Sequence, residues 1–150
     1  MKKIVLAAIL LITGGCATKP ESISSFAPAI VPEGKAVVYI YKAKTYGKAI
    51  WGIEANGEPI TIISRANYFP YIVGPGKIQL VSKMMPRIGN LIFAHIEPKN
   101  RMTINVKSGE RRYIRIVGAL NPEFAEAPEE EALEELKKCS LVGPYIADDT

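Results

Sequence analysis

Short β-type runs separated by turn residues, from Lys35 to Gly118, constrain the fold of this chain most strongly. The run "KAVVYIYK" (Lys35–Lys42) is β-branched or aromatic at both sets of alternating positions, which predicts a strand buried on both faces. The runs "AIWGIEA" and "EPITIIS" are joined by Asn56-Gly57. Because both of these turn residues can adopt positive φ, the dipeptide predicts a tight hairpin.

The remaining runs extend the same pattern. "YFPYIV" (68–73) leads through a Gly-Pro-Gly turn to "KIQLVSK" (77–83), and Pro70 predicts that the first of these is an edge or bulged strand. One more strand is predicted around Leu91–Ile96. "RMTINV" and "RRYIRIV" flank the turn at 107–110, and their apolar residues alternate as in partner strands. About seven short antiparallel strands at this spacing predict a mainly β fold, an antiparallel β-sandwich.

The composition changes near the C-terminus, where one amphipathic helix of about three turns is predicted to pack on the sandwich or close a sheet edge. Pro128 and Glu129–Glu131 suit the start of a helix, and Lys137-Lys138 suit its end. We predict that Cys139 is a buried apolar residue. Its candidate disulfide partner is Cys16, the chain's other cysteine, and this pairing is lost if Cys16 is modified, as argued from the N-terminus below. The predicted apolar face of the helix consists of Ala132, Leu133, Leu136 and Cys139 or Ser140.

The N-terminus is typical of a secretory signal. Met1-Lys2-Lys3 is positively charged, and nine consecutive apolar residues follow from Ile4 to Ile12. A membrane-spanning helix needs about 20 apolar residues, so this run is too short for one. An ordinary signal peptide, cleaved near Gly15 or Ala17, would release a soluble protein.

The alternative that we favour is lipidation. Thr13-Gly14-Gly15-Cys16 resembles the bacterial lipobox, in which the cysteine is acylated and becomes the mature N-terminus. The resemblance implies that Cys16 carries the lipid. Ala17 is not the Asp that retains lipoproteins at the inner membrane, which implies a periplasm-facing position at the outer membrane. The predicted units are a lipoprotein signal peptide (1–15), an anchor and flexible tether (16–34), the β-sandwich (35–118), and a C-terminal helix and tail (119–150).

Charge is distributed unevenly along the chain. Residues 35–118 carry 14 Lys and Arg against 4 Glu, a net charge of +10, whereas residues 119–150 carry 2 Lys against 9 Asp and Glu, a net charge of −7. A basic body can face anionic partners such as lipid headgroups, phosphorylated glycans or an acidic protein. The interpretation that we favour is that the acidic segment docks on the basic body or that both are solvated. Nucleic acid is a poor partner for a secreted chain.

Five stretches follow one another along the chain: "VPEGKAVVYIYK", "NGEPI", "NYFPYIVGPGK", "SGERRYIRIV" and "EEEALEELKKC". In this order they resemble the domain-of-unknown-function 2846 family of small bacterial lipoproteins. The resemblance covers the chain from about Val31 to Cys139, and its motifs are mostly turn residues and strand aromatics. It implies a lipid-anchored β-domain and supplies no catalytic residues.

Residues suited to catalysis are sparse. His95 is the only histidine, and no Gly-x-Ser-x-Gly motif accompanies it. Its apolar surroundings, "LIFAHI", favour a partly buried strand position, and a hydrolase that depends on it is a remote alternative. Carboxylate pairs drawn from Glu54, Glu58, Glu97 and Glu110 have little weight, since surface glutamates are common in β-proteins. We therefore predict no enzymatic activity, no metal site and no cofactor.

Aromatic and basic residues cluster between positions 39 and 71, where rings beside cations suit contact with a glycan or a protein. Core packing is the alternative, and we predict it for Tyr39 and for Tyr68–Tyr71. Tyr46 and Trp51 flank Gly47 in a predicted loop, so we expect both to be exposed. The candidate binding residues are Tyr46, Trp51, Lys42, Lys44 and Lys48.

These patterns lead to two functional hypotheses. The first is a lipid-anchored envelope protein whose non-catalytic β-sandwich contacts another protein as an adaptor. The alternative is that the same basic, aromatic region binds a glycan or anionic lipid.

Overall fold

The alternating apolar residues form two packed β-sheets and one short helix in a computed structural model, which describes residues 26–85, 87–88, 91–92, 98–119 and 121–146. Cys16 and His95 lie outside these ranges. The elements in chain order are β1 (Ala36–Lys42), β2 (Trp51–Ala55), β3 (Glu58–Ile63), β4 (Asn67–Val73), β5 (Gly76–Met84), β6 (Arg87–Ile88), β7 (Leu91–Ile92), β8 (Pro98–Val106), β9 (Arg111–Val117), β10 (Glu123–Glu126), α1 (Glu129–Leu136) and β11 (Ser140–Leu141).

The two sheets confirm the predicted mainly β sandwich with one C-terminal helix. One sheet has five strands in the order β10-β9-β1-β4-β11, and the other has four in the order β3-β2-β5-β8. The four-stranded sheet is antiparallel throughout. In the five-stranded sheet, β1 pairs with β9 and β4 pairs with β11 in parallel orientation. The strands β6 and β7 form a separate short pair.

The strands β8 and β9 lie in opposite sheets, so the prediction that they are partners is wrong. β8 pairs with β5, whereas β9 pairs with β1 and β10. The turn between them therefore crosses from one sheet to the other. Alternating apolar residues in both strands face the same core, which is why the sequence pattern resembles that of a hairpin.

Other local predictions are confirmed. Asn56 and Gly57 have φ values of 52° and 89° and join β2 to β3 as a hairpin. β11 pairs with β4 only at Asn67 and Tyr68, so Pro70 lies on an open edge in the described part of the chain. Of the strand predicted near Leu91–Ile96, the structure describes the two residues of β7, and the rest lies outside the described residues.

β1 separates two cores, as its two-faced apolar sequence predicts. All seven of its residues are buried. Residues with even numbers face the four-stranded sheet, and Val37, Tyr39 and Tyr41 face the opposite side. The core between the sheets consists of Ala36, Val38, Ile40, Trp51, Ile53, Ala55, Ile63, Ile78, Leu80, Ile104, Val106, Ile114 and Ile116.

The second core lies beneath α1. Ala132 and Leu136 of the helix are fully buried against the five-stranded sheet, and Cys139, three residues after the helix ends, is 1% exposed. The helix has eight residues, shorter than predicted, because the chain turns at Lys137-Lys138 and then enters β11. The burial predicted for Cys139 is confirmed.

The segment 26–31 completes the second core, although the sequence predicts a flexible tether there. Phe26, Ala29 and Val31 pack against the aromatic residues of this core. The Phe26 ring meets those of Tyr39 and Tyr68 edge to face, at centroid distances of 5.5 and 5.2 Å. The physical reason is that α1 covers this sheet face only in part. The three apolar side chains are buried against the rest of the face.

Candidate functional site

Three chain segments meet at one end of the sandwich: the loop after β1, the turn before β4 and the turn after α1. The register of the five-stranded sheet brings them together, since Asn67 pairs with both Lys42 and Ser140. These segments carry five exposed basic side chains, of which Lys137 pairs with Glu134 and the other four are here called the basic end. They are Lys44, Lys48, Arg65 and Lys138.

Hydrogen bonds hold these segments against one another. The Arg65 side chain donates from Nε to the Lys44 carbonyl at 2.7 Å. The Ser140 amide donates to the Ala66 carbonyl at 2.8 Å. In the loop after β1, Gly47 has a φ of +56°, and a Cβ there would approach Ala119 Cβ at 3.0 Å. The basic end is thus a fixed surface and not three independent loops.

The four residues of the basic end take part in no ion pair in the part of the chain that the structure describes. Neighbouring Lys137 is exposed and pairs with Glu134, and Glu123 also lies at this end. Within the part of the chain that the structure describes, basic side chains thus outnumber carboxylates here.

Of the five residues predicted to bind, the structure places Lys44, Lys48 and Tyr46 at the basic end. Tyr46 is half-buried, and the Arg115 guanidinium lies over its ring at 6.0 Å from the centroid. Arg65 and Lys138 are not predicted from the sequence, since no local pattern links them to the loop after β1. The register of β4 with β1 and β11 makes them neighbours.

Trp51 and Lys42 are both fully buried, so the expected exposure of Trp51 is wrong. Trp51 begins β2, and its ring faces the core between the sheets together with Ile53 and Ala55. The alternation in "AIWGIEA" indicates this burial, because Trp51 lies on the same face of the strand as Ile53 and Ala55. Neither side chain is available to a partner at the surface.

The Lys42 ammonium has few partners for a buried charge. It donates to the Ala49 carbonyl at 2.9 Å and lies 5.9 Å from the centroid of the Trp51 ring. Within the described residues no carboxylate pairs with it. Burial lowers the pKa of Lys42 below the 10.5 of an ordinary lysine, because the charged form loses hydration.

We therefore expect Lys42→Met to change how stability depends on pH. Where the pKa of Lys42 is lower in the folded than in the unfolded chain, folded molecules bind fewer protons, so the free energy of unfolding of wild type increases with pH. This increase is at most about 1.4 kcal/mol per pH unit for one group. Urea denaturation from about pH 7 to pH 10 measures the free energy of unfolding of both proteins. As pH rises, that of wild type should increase relative to that of Lys42→Met.

Lys44→Met is the matched control, since it removes an exposed lysine two residues away. Its difference from wild type should stay constant over the same pH range. The buried tyrosines contribute equally to all three proteins, so they cancel in the comparison. A Lys42→Met difference that does not vary with pH would contradict the environment described for this lysine.

The acidic helix docks on the basic body, which confirms the interpretation favoured from the charge pattern. The Arg115 guanidinium of β9 pairs with Glu131 and, at 3.1 Å, with Glu135. The Tyr41 hydroxyl donates to Glu135 at 2.7 Å. Hydrogen bonds from Arg115 to Glu131 and Glu135 raise the pKa of the guanidinium, although its burial acts in the opposite direction. Burial and the Glu135 carboxylate raise the pKa of the Tyr41 hydroxyl.

A small cavity lies elsewhere, beside β2 and β5. It has a volume of about 120 Å³, and the Glu54 carboxylate that borders it pairs with the Lys83 ammonium. Sites for small molecules typically measure about 300–1,000 Å³, so this space suits only a few water molecules. Glu110, another glutamate considered for catalysis, pairs with Arg112 at 3.1 Å near the opposite end of the sandwich.

The described residues contain no group of three or more side chains arranged to hold a metal ion. They also contain no helix with the length and apolar character needed to cross a bilayer.

Burial raises the pKa of the Cys139 thiol to about 11. This thiol contacts the carbonyls of Lys42 and Glu135.

Comparison with known proteins yields no match: no family model, no curated protein and no solved structure is similar to this chain.

Proposed function

We propose that this chain is a lipid-anchored protein of the bacterial cell envelope whose β-sandwich is a non-catalytic adaptor domain. The resemblance of Thr13-Gly14-Gly15-Cys16 to the lipobox supports the anchor. The adaptor part draws on the uneven charge of the chain and on the sparse catalytic residues of its sequence.

The observation that carries the proposal is the docking of the segment 26–31 on the five-stranded sheet. The Ala29 amide donates to the Tyr39 hydroxyl at 2.6 Å, and the Phe26 ring contacts two tyrosine rings. The chain is thus fixed to the domain ten residues after Cys16. Ten extended residues span at most about 35 Å, so an acylated Cys16 would hold the domain within that distance of the membrane.

We expect Cys16→Ser to abolish anchoring, because a serine lacks the sulfur atom that receives the lipid. The acyl chains stabilise membrane binding by about 0.8 kcal/mol for each buried methylene. The variant should move from the membrane fraction to the soluble periplasmic fraction. Mass spectrometry of the mature wild-type N-terminus should show an acylated Cys16. Cross-linking in intact cells should recover one dominant protein partner from wild type and not from Cys16→Ser.

Cys139→Ala is the matched control, since it removes the chain's other cysteine and leaves the lipobox intact. This variant should stay in the membrane fraction with an acylated N-terminus. Tight membrane association of Cys16→Ser, or an unacylated wild-type N-terminus, would refute the anchor. Recovery of only glycan or lipid by cross-linking would refute the adaptor part alone.

A further inference from the structure

We propose that the basic end docks on the anionic phospholipid headgroups of the membrane that holds the anchor, and so sets the orientation of the domain. This inference rests on the lipid anchor of the proposed function. It adds a surface, a ligand chemistry and an orientation. Anionic headgroups suit this surface because clustered Lys and Arg beside a membrane bind them electrostatically.

The two ends of the sandwich differ in charge. Among the described residues at the basic end, exposed basic side chains outnumber the carboxylates Glu123 and Glu134. The opposite end has basic residues and carboxylates in similar numbers. Its charged residues include Glu33, Lys35, Glu58, Lys77, Lys107, Glu110, Arg111 and Glu129.

Four carboxylates of the acidic C-terminal segment are bound by residues of β9 and not by the basic end. Glu131 and Glu135 pair with Arg115, and Glu126 pairs with Arg112. Glu129 accepts a hydrogen bond from the Tyr113 hydroxyl at 2.8 Å. These contacts fix the negative charge of the four carboxylates along β9.

The chain also enters the domain beside the basic end. Phe26 lies on the ring of Tyr68, the second residue of β4, and Arg65 precedes β4 by two residues. Farther along the same segment, the Ala29 carbonyl accepts from Arg111 at the start of β9, which belongs to the opposite end. The segment therefore runs from the basic end toward the opposite end. Cys16 precedes Phe26 by ten residues, and Phe26 is the end of the segment nearer to the basic end.

An exposed apolar residue accompanies these charges. Leu141 in β11 pairs with Tyr68 and is 62% exposed. A basic surface with an apolar residue at its margin combines electrostatic attraction with shallow insertion at the headgroup boundary. Because the anchor keeps the domain close to the bilayer, even a weak attraction of this kind holds the basic end against the surface.

The test is amine labelling of the native lipidated protein in vesicles of phosphatidylcholine alone or mixed with phosphatidylglycerol. Each basic residue near an anionic surface contributes about fivefold in binding. We expect labelling of Lys44, Lys48 and Lys138 to slow by at least about fivefold on the anionic vesicles, and labelling of Lys107 to stay unchanged. Salt at about 0.5 M should remove the protection, because screening shortens the reach of these charges.

A triple variant, Lys44→Glu, Lys48→Glu and Arg65→Glu, should lose the protection of Lys138. The matched control carries the same charge change at the opposite end, at Lys35, Lys77 and Lys107, and should keep the protection of Lys138.

Equal labelling of the basic end on both kinds of vesicle would overturn the inference while leaving the anchor intact. Protection by purified anionic polysaccharide but not by vesicles would overturn it in favour of a glycan. Failure of the wild-type protein to float with any vesicle would refute the proposed function itself.

Discussion

Trp51→Ala should lower the free energy of unfolding by about 3–5 kcal/mol, a large fraction of the roughly 5–15 kcal/mol available to a domain. The Trp51 side chain is fully buried in the core between the sheets, where the large-to-small change removes apolar contacts and leaves a cavity. Urea denaturation followed by circular dichroism measures the effect, since the variant lacks the chain's single tryptophan and its fluorescence.

Trp51→Phe is the matched control. The Trp51 Nε1–H is buried and has no acceptor within the described part of the structure, so replacing the indole with a phenyl ring loses no hydrogen bond there. We expect Trp51→Phe to cost about 1 kcal/mol, because most of the apolar volume remains. Stability of Trp51→Ala equal to that of wild type would show that this ring lies at the surface, as the sequence analysis expected.

Glu135→Ala should lower the free energy of unfolding by about 2–4 kcal/mol, because it removes a shared partner of two buried groups. The Arg115 side chain is 15% exposed and would keep only Glu131, and the Tyr41 hydroxyl would lose the carboxylate to which it donates. This contact and the burial of Ala132 and Leu136 together hold helix α1 against the sheet. Urea denaturation at neutral pH, with hydrogen exchange of the helix amides, measures the loss.

Glu131→Ala is the matched control, since it removes another carboxylate from the same guanidinium. The Glu131 side chain is 51% exposed, whereas that of Glu135 is 23% exposed. Exposed ion pairs contribute about 0–1 kcal/mol, so this variant should stay close to wild type. Equal losses in the two variants would mean that burial does not distinguish the two carboxylates.

The adaptor hypothesis and the headgroup inference ask different questions of the same domain. The first concerns a protein that binds a surface facing away from the membrane, and cross-linking identifies it. The second concerns how the domain stands on its membrane, and lysine labelling reports it without any partner. A protein partner bound to the side opposite the membrane would be compatible with both.

Local chemistry was sufficient to predict much of the architecture. Strand β1 is buried on both faces because both of its alternating sets are apolar, and the Asn56-Gly57 turn forms because its residues tolerate positive φ. The helix starts after Pro128, as its composition predicts. These features depend on periods of two and 3.6 residues, which a sequence displays directly.

Other features required the packed structure. A pattern of alternation does not state which strand is the partner, so β8 and β9 looked like a hairpin although they lie in different sheets. Lys42 is buried where its ammonium donates to the Ala49 carbonyl of the loop after β1. Phe26 docks on a sheet face that α1 leaves partly uncovered.

Most strands between residues 35 and 118, the acidic helix and the uneven charge were predictable from the sequence, because each depends on residues close together in the chain. Which basic residues form one surface depends instead on how the strands pair. Lys44, Arg65 and Lys138 are far apart in sequence, and they become neighbours because β1, β4 and β11 pair in one register. Long-range pairing of this kind depends on the whole core, and no local pattern encodes it.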